Sequence, residues 1–180
     1  MPEPVRILVS ACLLGEKVRY DGGHKRDLHL METLGPFVEW VRVCPEVDSG
    51  LPVPREAMRL VGDPKRPLLL TNRTGIDHTE RTERWAEARL EELSRLDLCG
   101  YICKKDSPSC GMEPAGVFTR MFIERFPHLP VEEEGRLADP AVCEKFVGRG
   151  HTFPPSRVAP GMSPESACTL EKPDSRRKKA

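Results

Sequence analysis

The apolar residues cluster into short runs separated by amphipathic or polar stretches. Arg6 to Ser10 (RILVS) is a compact β-rich run that breaks into ACLLGEKVRYDGGHK, where the glycines and Asp21 mark a long loop. From about His24 to Leu34 the pattern is helical. FVEWVRVC (Phe37 to Cys44) then alternates Val and Trp as a second strand would, before Pro45 and Glu46 end it. The proline-rich segments GLPVPREAMRLVG and PLLLTNRTG predict a looped, partly extended excursion. In DHTERTERWAEARLEELSRLDL, Trp85, Ala86, Leu90, Leu93 and Leu96 recur at roughly helical spacing with Glu and Arg between them, and Asp77 or Thr79 can cap the start. CGYIC predicts a third strand, GVFTRMFIERF a further helix and LPVEEEG a short extended piece. DPAVCEKFV predicts a last helix, opened by Asp139 with Pro140 in its first turn.

Strands separated by helices argue for right-handed β-α-β units, and so for an α/β fold: a Rossmann-like parallel sheet flanked by helices. In such a sheet the loops leaving the carboxyl ends of the strands gather along one edge. A chain of 180 residues suits one main core, and the pattern assigns residues 1–148 to it. After Phe146 the sequence VGRGHTFPPSRVAPGMSPESACTLEKPDSRRKKA loses apolar periodicity and is rich in Pro and Ser. Residues 149–180 therefore predict a disordered tail, whose basic end (Arg176, Arg177, Lys178, Lys179) reads as a solvated charge run.

Charge narrows the partners. Lys+Arg 28 against Asp+Glu 28 leaves a formal net charge of +0, so nothing global points to nucleic acid or an anionic membrane. No charged-then-apolar leader opens the chain and no stretch approaches a membrane span, which predicts a soluble, cytoplasmic protein. The seven cysteines then read as thiols or metal ligands rather than as a disulfide framework.

Three of these cysteines occupy equivalent places. Cys12 lies just past the first strand, Cys44 at the end of the second, and Cys110 in KKDSPSCGM, the turn that follows the third. A free cysteine is most often a small buried hydrophobe. Three of them in strand-end loops beside Gly, Pro and charged residues point instead to one shared site at the carboxyl edge of the sheet. No close C-x-x-C pair joins the loops, which disfavours a closed zinc site. Spacing alone leaves three possibilities: a 4Fe-4S cluster with one iron lacking a protein ligand, a three-cysteine zinc with a water, or a thiol nucleophile with a resolving partner. Cys99 and Cys103 flank the third strand at even spacing, so both are expected on one side of the sheet as packing residues. Cys143 reads as core, and Cys168, in the tail, is not a ligand.

The segments VSACLLGEKVRYDGGHKR, VCPEVDSGLPVPREAMRLVGD and KKDSPSCGM, with RFPHLPVEEEGRLADP further on, resemble the thiouracil desulfidase family over most of Val5 to about Phe146. That resemblance implies a 4Fe-4S cluster held by Cys12, Cys44 and Cys110, and removal of sulfur from a thiolated pyrimidine base such as 2-thiouracil. It places the catalytic carboxylate on Glu46 and the substrate-binding serine within SPS, with Ser107 favoured over Ser109. The residue types suit the chemistry: a soft thiocarbonyl sulfur binds an open iron, Glu46 activates water, and Ser107 or Ser109 holds the pyrimidine edge. Glu46 could equally be a helix-start carboxylate. The rival reading is a non-catalytic metal-binding or sulfur- or cluster-carrying module in which Glu46 only pairs with a cation; a thiol-redox enzyme is a third.

Around these positions, His24 and Lys25, with Arg19 and Asp21, are candidates for lining the substrate pocket, Asp21 being the next choice of base after Glu46. Arg55 reads as an anion or substrate contact, or as an exposed partner of Glu56 or Asp48. Lys104 and Lys105 could neutralise the negative charge of a thiolate-bound cluster, but read most simply as solvent-facing charges at a strand end.

Overall fold

In a computed structural model, which describes residues 5–148, the predicted β/α alternation is present. The chain runs β1 (Val5–Ser10), a 3-10 turn (Ala11–Leu14), α1 (Leu28–Thr33), β2 (Val38–Val43), α2 (Pro45–Asp48), β3 (Met58–Val61), β4 (Leu68–Thr71), α3 (Thr79–Leu93), β5 (Leu98–Cys103), α4 (Val117–Arg125), β6 (Val131–Glu133) and α5 (Pro140–Gly148). Strands β2, β1, β5 and β6 form, in that order, a wholly parallel sheet. The segment 149–180, with Cys168, lies outside the described residues.

β1 is the central strand and is buried on both faces, as its near-continuous apolar sequence requires. Val5, Ile7 and Val9 pack with Leu30 of α1 and Phe146 and Val147 of α5. Leu8 faces the other way, onto Ala86, Leu90 and Leu93 of α3 and Phe118 and Phe122 of α4. That second layer is largely aromatic: Tyr101 of β5 meets Phe118 edge-on at 5.8 Å, and Phe122 lies 5.0 Å from both Tyr101 and Phe126.

Several local expectations change. The first helix starts at Leu28 rather than near His24, because the Asp27 carboxylate accepts the Leu30 N–H at 2.9 Å, while Lys25 and Asp27 donate their own N–H groups to the carbonyls of Cys12 and Leu13. The proline-rich excursion contains an antiparallel hairpin, β3 with β4, that forms its own two-stranded sheet. At α3, Asp77 accepts the Thr79 N–H, while the Thr79 hydroxyl accepts the N–H of Leu69 in β4. Trp85 and Leu96 only partly bury against the core that Ala86, Leu90 and Leu93 enter.

Cys99 and Cys103 do not share a face: Cys99 packs in the α1/α5 layer and Cys103 in the α3/α4 layer. The cause is an irregularity in the β1–β5 pairing, where Arg6 aligns with Leu98 but Ile7 with Gly100. The extra residue in β5 reverses the inside–outside parity, which even spacing alone cannot reveal. Gly100 sits at this bulge, and a Cβ there would stand 2.9 Å from the Phe146 ring.

Phe122 is fully buried at the centre of the aromatic layer. Phe122→Ala is expected to cost about 3–5 kcal/mol, read as a lowered urea midpoint with little change in slope.

Candidate three-thiol site

Parallel pairing brings the carboxyl ends of β2, β1 and β5 side by side. Cys12 lies in the 3-10 turn after β1, Cys44 caps α2 directly after β2, and Cys110 lies in the loop after β5. All three line one cleft of about 100 Å³, together with Glu46, Ser107 and Ser109. By the same measure a single water needs roughly 10–15 Å³, so the cleft has room for a group of several heavy atoms.

Each thiol is set in place by backbone and polar contacts. The Asp48 carboxylate accepts the Cys44 N–H at 2.9 Å and is itself paired with Arg42 at 2.6 Å, which also reaches Glu16. Cys110 is enclosed more completely. Its N–H donates to the Ser107 hydroxyl at 3.2 Å, and its carbonyl accepts from the Thr119 hydroxyl at 2.8 Å. Its sulfur lies 3.1 Å from Ser107 Oγ and 3.3 Å from Ser10 Oγ. The loop closes tightly enough that a Cβ on Gly116 would lie 2.4–2.6 Å from the backbone of Ser109 and Cys110. Only glycine permits that approach.

Glu46 lies in the first turn of α2, where a carboxylate is favourable to the helix, but it does more than complement the helix end. Its Oε2 accepts from Arg55 Nε at 2.6 Å and its Oε1 from Ser109 Oγ at 2.8 Å. The Arg55 side chain is only 6% exposed and also donates to the carbonyls of Val18 and Pro52. Arg55 thus pairs with Glu46, and not with Glu56 or Asp48. Glu56 instead accepts from the turn at Arg73 and Thr74. Ser109 and Ser107 stand 3.1 Å apart, so hydroxyls link the carboxylate to the Cys110 sulfur.

The flanking candidates separate. Lys104 lines the cleft with its side chain 15% exposed and pairs with Glu134, so it is not a solvent-facing charge; Lys105 is exposed at the mouth. Arg19 lines the cleft, but His24, Lys25 and Asp21 do not. His24 Nδ1 accepts the Arg26 N–H in an exposed turn, and Asp21 is tied up by the Gly23 N–H, which holds its carboxyl below the ordinary value. Ser10 escapes sequence reasoning altogether. Its one signal is a polar residue ending an otherwise apolar strand, two positions before Cys12.

The thiols resist ionisation. Burial, followed by the proximity of Cys110 and Cys44, pushes Cys12 up to about 12; burial is also the main cause that raises Cys44 to about 11, and it raises Cys110. A nucleophilic thiol needs the opposite, a pKa lowered by a nearby cation or helix N-terminus. Thiols held together with their ionisation opposed in this way suit a site in which a cationic metal group offsets the charge of the thiolates. Among the described residues, no group of three or more His, Cys, Asp or Glu side chains could hold a single metal ion. An iron-sulfur cube suits three soft thiol donors better, because each thiolate would bind a different iron and the three would not have to converge on one ion.

Comparison with known proteins adds an independent line. Residues 7–134 match the family model described as 2-thiouracil desulfurase. The uncharacterized protein YbbK of Bacillus subtilis (strain 168) is 31% identical over 110 residues, covering 58% of this chain and 72% of that protein. A solved structure of the 4Fe-4S-dependent thiouracil desulfidase TudS superposes with a TM-score of 0.63 at 31% identity, covering 79% of this chain and 99% of that one.

In the reduced, metal-free protein, alkylation of Cys44 by iodoacetamide is expected to keep rising to about pH 11, beyond the levelling near about 8.5 of a free thiol. The sign follows from burial, which penalises the thiolate. Peptide mass spectrometry across a pH series reads it, and levelling below pH 8 would favour a thiol nucleophile instead.

Proposed function

This chain belongs to the 2-thiouracil desulfurase family, and from that premise we propose that it removes sulfur from a thiolated pyrimidine base, using a 4Fe-4S cluster held by Cys12, Cys44 and Cys110. The observation that carries the reading is the convergence of three thiols from three separate strand ends on one cleft that also contains a pinned carboxylate. Held by these three thiolates, such a cluster would keep one iron without a protein ligand and would supply a Lewis acid for a soft thiocarbonyl sulfur.

The chain's own residues do the rest. Arg55 and Ser109 each occupy one oxygen of Glu46, which fixes the carboxylate while leaving it lone pairs to accept a further proton. In the proposed step Glu46 takes a proton from a water as that water's oxygen bonds to the carbon bearing sulfur. Glu46 then returns that proton to sulfur as the carbon–sulfur bond breaks, the bonding electron pair leaves with sulfur as hydrosulfide, and the hydroxyl left on carbon loses its proton to solvent to become the carbonyl. Ser107, at the cleft surface, holds the polar edge of the base; Ser109 is fully buried and positions Glu46. This assignment supports the choice of Ser107 over Ser109 for substrate contact. The alternative of a non-catalytic cluster- or sulfur-carrying module draws on the Arg55 ion pair, which by itself would account for Glu46 as a structural group.

Anaerobic reconstitution of the wild-type protein is expected to give about four irons and four sulfides per chain. Cys12→Ser, Cys44→Ser and Cys110→Ser should each lose most of that iron, since a hydroxyl is a poor ligand for this group. Cys103→Ala, outside the cleft, should retain it. Full loading of Cys110→Ser would overturn the ligand assignment.

Glu46→Gln separates the enzyme from the carrier. It keeps the shape of the side chain and an oxygen for Arg55 but removes the base, so the variant is expected to load iron normally and to release uracil from 2-thiouracil at least about 100-fold more slowly. Uracil release followed by chromatography tests this. Wild-type turnover by the variant would place the base elsewhere.

A further inference from the structure

Ser10 is the last residue of β1 and is 2% exposed, a hydroxyl enclosed at the floor of the cleft. Its Oγ accepts the Lys104 N–H at 3.0 Å, a contact across 94 residues that joins the ends of β1 and β5. With that acceptance made, its single hydrogen points to the Cys110 sulfur at 3.3 Å. The Tyr101 hydroxyl stands near Ser10 and Thr119 without reaching hydrogen-bonding geometry with either.

Ser107 is the other hydroxyl on that sulfur, and it is placed differently. It accepts from the Cys110 thiol at 3.1 Å and, because the Ser109 hydroxyl gives its one hydrogen to Glu46, it donates its own to Ser109 Oγ at 3.1 Å. When Cys110 is a thiolate it can no longer donate, and Ser10 is then the hydroxyl whose orientation is already committed to it. We infer that Ser10 is a positioning residue for the cluster: its hydroxyl donates to the Cys110 thiolate, holds that ligand toward the cleft and stabilises the added negative charge of the reduced cluster.

The inference rests on the cluster reading above, and its test separates the two. Reduction adds one electron and one negative charge to the cluster, and a hydrogen bond to a ligand sulfur favours the more negative form. Losing it should make reduction harder. Ser10→Ala is therefore expected to fold and load iron but to show a midpoint potential more negative than wild type in an anaerobic redox titration, with Ser10→Thr, which keeps a hydroxyl, restoring the wild-type value. Iron lost from a folded Ser10→Ala protein and regained in Ser10→Thr would support the holding role.

A potential in Ser10→Ala equal to wild type overturns the inference while leaving the cluster reading intact. Equal changes in Ser10→Ala and Ser10→Thr overturn it too, because packing at the end of β1 would then be responsible. Tyr101→Phe, which removes the neighbouring hydroxyl, should leave the potential unchanged; a fall matching that of Ser10→Ala would make Tyr101 the donor that acts on the sulfur and overturn the inference. A wild-type protein that takes up no cluster under reconstitution defeats the cluster reading and this inference together.

Discussion

Parallel pairing of β1 with β2 along one edge and with β5 along the other sends the next segment of chain, at each of the three strands, out of the same end of the sheet. Cys12, Cys44 and Cys110 are remote in sequence and adjacent in space for that reason. The pairing is held by burial of β1 on both faces, with aliphatic and aromatic layers packed against it. Chain direction reverses sides at β1, since β2 lies to one side and β5 to the other, and crevices in open α/β sheets form at such a switch point. Core packing and site geometry are thus one problem: a strand slipped by a residue would displace a thiol as well as an apolar side chain.

The cleft gathers groups that are unfavourable together. Burial raises all three thiols, Cys110 raises Cys12 and Cys44 further, and a carboxylate sits among them. Arg55 offsets part of this. Its guanidinium bonds Glu46 and the carbonyls of Val18 and Pro52, and its own N–H donates to the Tyr20 carbonyl. One buried cation therefore ties together the loop after β1, the helix after β2 and the proline-rich segment. Removing one partner of a buried ion pair typically costs about 3–5 kcal/mol, so Arg55 serves the architecture of the site as well as its charge. Lys104, paired with Glu134, brings a second cation to the cleft wall.

The polar contacts around Cys110 show how a loop becomes precise. Ser10, Ser107 and Thr119 engage its sulfur, amide and carbonyl, and the close approach of Gly116 leaves no room for slack. These partners come from β1, the loop itself and α4. A thiol held from three elements keeps its direction without needing metal to impose it.

Local chemistry in the sequence was enough for the strands, the amphipathic helix, the parallel architecture and the cysteines at strand ends, because hydrophobic periodicity and turn residues act over a few positions. Recognisable motifs around those cysteines also pointed to the family. Tertiary structure decided what depends on distant partners. The β5 bulge set Cys99 and Cys103 on opposite faces, since parity changes with one extra residue that only pairing to β1 reveals. Arg55 found Glu46 rather than its sequence neighbour Glu56, because the loop folds back over α2. Lys104 turned inward because Glu134, 30 residues on, meets it there. Ser10 carried no motif of its own, and its role follows from Lys104 and Cys110, 94 and 100 residues away, which a hydrogen bond can join only after the sheet has formed.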